Sequence, residues 1–329
     1  MPVISVIIPV FNGEKTIQNT IESVLNQTFS GFELIVINDG SQDSTINVIS
    51  SIQDPRIKVF SYPNSGQPAS RNRGIAKAAG EYISFIDADD LWTPDKLESQ
   101  LNALQENPQA AVAYSWTDYI DESGQFLRPG PHYNFRGDVY ARLLLADFVG
   151  SGSNPLICRQ ALAEVGGFDD SLSNAHDWDM WLRLAARYHF VAVPSTQILY
   201  RLSNNSMSSN VSGMEASSLR IIERAFAQAP ESLQYLKRHS IGNRYKGLTW
   251  KALEGPPERG RGLVAARFLW QAVINDFALL RKRLTWKVLF KIAVWILLPP
   301  QQAQIFITKF KTMSDIQSTL LMHFRLDTF

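Results

Sequence analysis

Tyr82-Ile83-Ser84-Phe85-Ile86-Asp87-Ala88-Asp89-Asp90 is an apolar run that ends in three carboxylates. It reads as a buried strand opening into a loop. Carboxylates two apart at the mouth of such a strand can divide their work, one towards a ribose hydroxyl and one towards a hard cation that prefers oxygen ligands. That spacing predicts a meeting point for a divalent metal and a nucleotide diphosphate. Asp87-Ala88-Asp89-Asp90 also suits a solvated turn followed by a helix N-cap.

Outward from this stretch, short apolar runs alternate with amphipathic ones, the pattern of an α/β fold with a mostly parallel sheet flanked by helices. The expected strands are 3–10, 32–38, 57–61, 82–86 and 111–116, with helices over 15–26, 44–52, 68–78 and 94–105. Such sheets bind ligands at the carboxyl ends of their strands. The loops there are Pro9-Val10-Phe11-Asn12-Gly13-Glu14, Asn38-Asp39-Gly40-Ser41, Asn64-Ser65-Gly66 and Asp87-Ala88-Asp89-Asp90, so polar and glycine-rich residues converge on one rim.

Each loop suits a nucleotide. Phe11 can cover a flat base while Asn12 and Gly13 turn the chain tightly, and Asp39 can accept a hydrogen bond from the imide N–H of a uracil-like ring. An ordinary β-turn ahead of the next helix explains the Asp39 loop equally well. Gly66 leads into Pro68-Ala69-Ser70-Arg71-Asn72, a helix start that offers backbone N–H groups, with Arg71 directed at an anion or at a surface carboxylate. Neither a Walker loop nor a dinucleotide-binding G-x-G-x-x-G occurs, which disfavours ATP hydrolysis and hydride transfer.

Composition agrees with an enzyme. The 329 residues, 45% hydrophobic and 19% charged, can bury a sizeable core in one large domain or two. A net charge of +1 gives no overall drive towards nucleic acid, and none is expected as a partner. The lone Cys158 excludes internal disulfides and fits a reducing compartment. Met1-Pro2 runs directly into Val3-Ile4-Ser5-Val6-Ile7-Ile8 without a basic leader or cleavage pattern, which predicts a cytoplasmic location.

In order, Ile7-Ile8-Pro9-Val10-Phe11-Asn12, Ile37-Asn38-Asp39-Gly40-Ser41, Asn64-Ser65-Gly66, Arg71-Asn72-Arg73-Gly74-Ile75 and Asp87-Ala88-Asp89-Asp90 resemble the family-2 inverting glycosyltransferases of GT-A fold. The resemblance continues through Val165-Gly166-Gly167-Phe168-Asp169 and His176-Asp177-Trp178-Asp179-Met180-Trp181-Leu182-Arg183, covering about the first 205 residues. It implies a GT-A Rossmann-like domain over 1–212 whose nucleotide-sugar contacts are Pro9, Phe11, Asn12, Glu14, Asp39, Gly66, Arg71, Asp87, Ala88 and Asp89. Asp89 would hold Mn2+ or Mg2+ against the diphosphate of a UDP-sugar. The acceptor would be a glycan or lipid-linked hydroxyl, in cell-envelope or surface polysaccharide synthesis.

By the same resemblance Asp177 is the base that takes the acceptor proton. It lies where an irregular Ser171-Leu172-Ser173-Asn174-Ala175 stretch meets a helix striped by Trp178, Trp181, Leu182 and Ala185. Read alone, Asp177 is equally an N-cap of that helix. Asp179 and Asp90 stand next in line as bases. His176 replaces the Glu that commonly precedes the base, and Ser203 lies near where many relatives place a His, so the cation is expected to rely on Asp89, diphosphate oxygens and water. A sugar-nucleotide-binding relative without activity and a sugar-phosphate nucleotidyltransferase are the alternatives. Pro9-Val10-Phe11-Asn12-Gly13-Glu14 lacks the basic, glycine-rich loop of the latter.

From residue 213 to 329 helical periods with charged faces predict a helical C-terminal region, with helices over 215–229, 233–253 and 262–280. A basic, tryptophan-containing segment near 284–298 is too short to span a bilayer, which needs about twenty apolar residues. It is expected to lie in the interface on the inner face of an anionic membrane, or else to pack as a buried helix or dimer contact.

Overall fold

The computed structural model describes residues 1–130, 132–202 and 211–309. Two compact units divide the chain, one of residues 1–143 and 147–206, the other of 144–146 and 207–329. The boundary at 206/207 lies outside the described residues, as does the expected closing segment from Ser203 to Ser208.

The first unit contains β1 (Ile4–Val10), α1 (Ile17–Leu25), β2 (Phe32–Asn38), α2 (Thr45–Ser51), β3 (Ile57–Ser61), α3 (Gln67–Lys77), β4 (Tyr82–Phe85), β5 (Leu91–Trp92) and α4 (Lys96–Glu106). There follow β6 (Ala110–Ile120), β7 (Phe126–Pro129), α5 (Tyr140–Leu145), whose last two residues join the other unit, β8 (Leu156–Cys158), α6 (Arg159–Val165), α7 (His176–Ala185) and β9 (His189–Arg201). The sheet order is β3-β2-β1-β4-β8-β6-β9-β5, with β7 beside β6. Parallel ladders join β1 to β2 and β4, β2 to β3, and β6 to β9, and they carry most of the paired residues.

Every residue of β1 and β2 is buried. Strands covered on both faces need continuous apolar runs rather than alternation, which is why these were readable. On one face Ile4, Val6, Ile8 and Val10 pack with Ile17, Ile21 and Val24 of α1. On the other, α3 lies so close that a Cβ on Gly74 would sit 2.3 Å from Cγ2 of Ile7. Strand order reverses beside β1, which has β2 on one side and β4 on the other. The carboxyl ends of β1 and β4 therefore flank the topological switch point where such sheets bind ligands.

Some elements depart from expectation. β6 runs to Ile120 because β9 pairs along its whole length. The short strands β5, β7 and β8 carry too few residues to show a period.

The second unit holds α8 (Val211–Gln228), α9 (Leu236–Ala252), α10 (Arg259–Asn275), α11 (Arg283–Leu297) and α12 (Pro300–Lys309). Its core includes Leu248, Phe268, Leu269, Val288, Ile292 and Trp295. The helix expected to reach residue 280 stops at Asn275, because the Asp276 side chain accepts from Ala278 N–H and starts a 3-10 turn, Phe277–Arg281. Among the described residues no helix is long and apolar enough to cross a membrane.

Candidate active site

Arg71 organises the centre of the site. It sits in the first turns of α3 with its side chain wholly buried, where a lone cation would be unstable. Two carboxylates accompany it. Its Nη2 donates to Asp87 Oδ1 at 2.6 Å and its Nη1 to Asp177 Oδ1, 106 residues away in sequence. The guanidinium also lies 5.2 Å from the Phe168 ring centroid and 5.7 Å from that of Phe85. Gly152 completes the enclosure, since a Cβ there would fall 2.2 Å from Nη2. The sequence left open whether Arg71 met a ligand or a surface carboxylate; the structure gives it two half-buried carboxylates.

The loop after β4 holds the acids at different depths. Asp87 accepts from Gln67 Nε2 at 2.7 Å as well as from Arg71, and its own N–H donates to Ser153 Oγ. Asp90 is buried, accepting from Ser153 Oγ at 2.5 Å and from Arg201 N–H at 3.0 Å. Burial and the neighbouring Asp89 and Asp87 charges push its carboxyl well above the usual range. It fastens the loop and is neither a solvated turn residue nor placed as a base.

Asp89 differs from both. Burial and the charge of Asp87 raise its carboxyl to about 6, and among the described residues it enters no ion pair. A half-buried carboxylate short of countercharge suits a divalent cation, so the residues fit the expected metal. Among the described residues no group of three or more His, Cys, Asp or Glu side chains forms a closed site. Arg201 does not face it with its guanidinium free: Nε donates to the Asp89 carbonyl and Nη1 to the carbonyls of Asp121 and Glu122.

The loops after β1 and β2 are sewn together. Asn12, at φ +52°, donates its N–H to Ser41 Oγ and accepts from Gln42 N–H. Glu14 accepts from Ser44 N–H at 2.9 Å. Pro9 is buried in β1, whereas Phe11 stands half in solvent at the rim. Asp39, buried, accepts from the N–H groups of Ser65 and Gly66 and from Arg73 Nη1 at 3.0 Å. Gly66, at φ +88°, occupies the N-cap position of α3, so Asp39 shapes the turn that launches the helix bearing Arg71. Ala88 lies half-buried between Asp87 and Asp89.

Asp177 occupies the second position of α7 and is not its N-cap. That place belongs to Ala175, at φ +58° and without a side-chain cap. Burial raises the Asp177 carboxyl, but the Arg71 and His176 charges, and hydrogen bonds from Arg71 and Gly152 N–H, outweigh it and hold the group below the usual range. His176 Nε2 lies 3.6 Å from Asp177 Oδ1. Its ring is buried against Phe168, neither nitrogen has a hydrogen-bond partner, and burial lowers its pKa. Asp179 is turned away, paired with Arg183 at 2.9 Å. Trp178 and Trp181 are core residues.

Gly152, Ser153 and Gln67 were missed in the sequence. Ser151-Gly152-Ser153-Asn154 carries no pattern that distinguishes it from other small polar loops. Asn154 is buried and braces Ser115 N–H and the Val149 carbonyl. His132 stacks on Trp116 with ring centroids 4.6 Å apart, its Nε2 2.8 Å from Asp118.

Carboxylates beside the switch point of the sheet, paired with a buried arginine, agree with the resemblance to GT-A glycosyltransferases. The chain belongs to the glycosyltransferase-like family 2, whose sequence profile matches residues 5–252. It is 35% identical over 204 residues to an uncharacterized glycosyltransferase of Rickettsia typhi, covering 59% of this chain and 64% of that one. Chondroitin synthase of Escherichia coli is 31% identical over 187 residues, 56% of this chain and 27% of the synthase. The chain thus spans less than two thirds of these relatives' length. Among solved structures, the mannosyltransferase PcManGT from Pyrobaculum calidifontis, in complex with GDP-Man and Mn2+, aligns with a TM-score of 0.58 at 16% identity, covering 97% of this chain and 87% of that one. S. aureus TarS in complex with UDP-GlcNAc aligns at 0.57 and 16% identity, covering 88% and 91%.

Proposed function

We propose that this glycosyltransferase inverts the anomeric centre, moving a sugar from a UDP-linked donor to an acceptor hydroxyl with Asp177 as base. The observation that carries this reading is the single buried guanidinium shared by Asp87 and Asp177. In an inverting displacement the hydroxyl attacks from the face opposite the leaving diphosphate, so a carboxylate must stand ready, ionised, to take the proton. Arg71 keeps Asp177 ionised and fixes its orientation. The same guanidinium orients Asp87, the carboxylate assigned to the nucleotide sugar, which ties the donor and acceptor sides of the reaction to one support.

The UDP assignment is supported by Phe11 exposed at the rim beside the loop that Asp39 organises. PcManGT with GDP-Man and TarS with UDP-GlcNAc support a nucleotide-sugar donor in general. Asp89 is the residue we assign to a divalent cation, Mn2+ or Mg2+. Such an ion, when bound, supplies charge neutralisation to the departing diphosphate. We assign catalysis to residues 1–212 and a separate helical role to 213–329. The acceptor is taken as a glycan or lipid-linked hydroxyl of the cell envelope, in keeping with the similarity to chondroitin synthase.

The deciding experiment is a panel of UDP- and GDP-sugars incubated with Mn2+ or Mg2+ and candidate glycan acceptors, following nucleoside diphosphate release and product anomeric configuration by NMR. Release with a UDP-sugar and an inverted product is expected. A retained configuration overturns the base assignment, and donor binding without turnover across the panel identifies an inactive sugar-nucleotide-binding relative.

A further inference from the structure

The helical unit carries an apolar stripe that its own core does not use. On α11 the side chains of Trp286, Phe290 and Leu297 are 59%, 45% and 78% exposed. At 3.6 residues per turn they fall within about 40° of one another around the helix axis. Leu289 on the same helix is also exposed. Trp286 Nε1 donates to the Leu280 carbonyl at 3.0 Å, which brings exposed Leu280 beside the stripe. The opposite face, with Val288, Ile292 and Trp295, fills the core, so the helix is folded in place without its outer stripe. Exposed Arg281, Arg283 and Lys287 flank that stripe, and no acidic residue occurs from 277 through 309.

We propose that this face docks the enzyme peripherally on an anionic lipid bilayer, with Trp286, Phe290 and Leu297 in the headgroup boundary and Arg281, Arg283 and Lys287 against lipid phosphates. Charge decides between the occupants of such a face. A second copy would set one basic rim against another, whereas an anionic leaflet complements it. Aromatic and aliphatic side chains on one side of a helix with cationic flanks are the arrangement that binds in the interfacial plane. The helix is about 22 Å long at 1.5 Å per residue, which suits lying in the surface and not crossing it. Lys291 takes no part, since it lies over the Trp295 ring and donates to the Leu253 carbonyl.

The test is co-sedimentation of the full chain with phosphatidylcholine vesicles, with and without phosphatidylglycerol, at low and high salt. The wild type should pellet with the anionic vesicles and be released by salt. Trp286→Ser with Phe290→Ser, and separately Arg283→Glu with Lys287→Glu, should each lower the partition coefficient roughly tenfold or more. The charge pair is exposed and decides the matter should the apolar pair fail to fold, as judged by melting temperature. Wild type left in the supernatant with anionic vesicles, or both variants pelleting as well as wild type, overturns the proposal. So does a concentration-dependent dimer that Trp286→Ser with Phe290→Ser abolishes while vesicle binding is absent.

Discussion

Asp177 and Arg71 depend on each other at the level of single atoms, and that makes Asp177→Asn informative. Asparagine would cap a helix about as well as aspartate, but capping is not what the side chain does here. Removing its charge leaves a buried guanidinium with Asp87 alone, so stability should fall by about 1–3 kcal/mol. If Asp177 is the base, the transfer rate falls by roughly two to four decades while UDP-sugar affinity is kept. Melting temperature, donor affinity and single-turnover rate separate the effects, and a folded, donor-binding variant with near-normal turnover excludes Asp177 as base. Lys96 offers a second residue-scale test. Its side chain is wholly buried, its Nζ donating to Ser84 Oγ and lying 3.9 Å over the Trp92 ring centroid. Burial drives its pKa well below 10.5. The unfolded chain holds that proton to higher pH than the folded one, so between the folded and unfolded pKa values stability rises with pH. Lys96→Met should flatten this rise and increase the melting temperature at neutral pH. Parallel melting curves against pH for the two proteins would remove Lys96 as the cause.

Elements place these residues through close backbone contacts more than through propensity. The approach of α3 to β1 depends on Gly74, because any Cβ there meets Ile7 inside the sheet. Gly74→Ala gains about 1 kcal/mol of helix propensity but must displace a packed, branched side chain. We expect a net loss of about 1–3 kcal/mol in urea unfolding, together with weaker donor binding as α3 carries Arg71 away from Asp87. A variant as stable as wild type would show that the helix can shift freely. Some strands were legible: β2 and β3 span the expected 32–38 and 57–61. α7 was legible as a helix and misread at its start, since its N-cap is Ala175 in a left-handed conformation that no capping residue announces. β8 was invisible, because three residues whose strand character comes from β4 and β6 on either side carry no pattern of their own.

For the whole molecule, binding should appear as coupled stabilisation. A cation held by Asp89 alone is weak, and UDP near that carboxylate without a cation meets repulsion, so the two should raise the melting temperature together by more than the sum of their separate effects. At a hundred times the dissociation constant the gain is about 2.7 kcal/mol. Asp89→Ala should remove the synergy while leaving the melting temperature without ligand close to wild type or higher, because a carboxylate raised to about 6 is a cost to the fold at neutral pH. Additive shifts for the wild type, with EDTA making no difference to UDP affinity, would reject the assignment of Asp89 to a metal. The amino-acid sequence by itself determined the layered sheet and the order of loops on its rim, since burial on both faces demands apolar runs and the turns demand glycine, asparagine and aspartate in local positions. Only the tertiary structure decided which polar group meets which. Arg71 and Asp177 are 106 residues apart, Asp90 and Ser153 are 63, and a hydrogen bond leaves no periodic trace in a chain whose ends of contact are joined by folding alone.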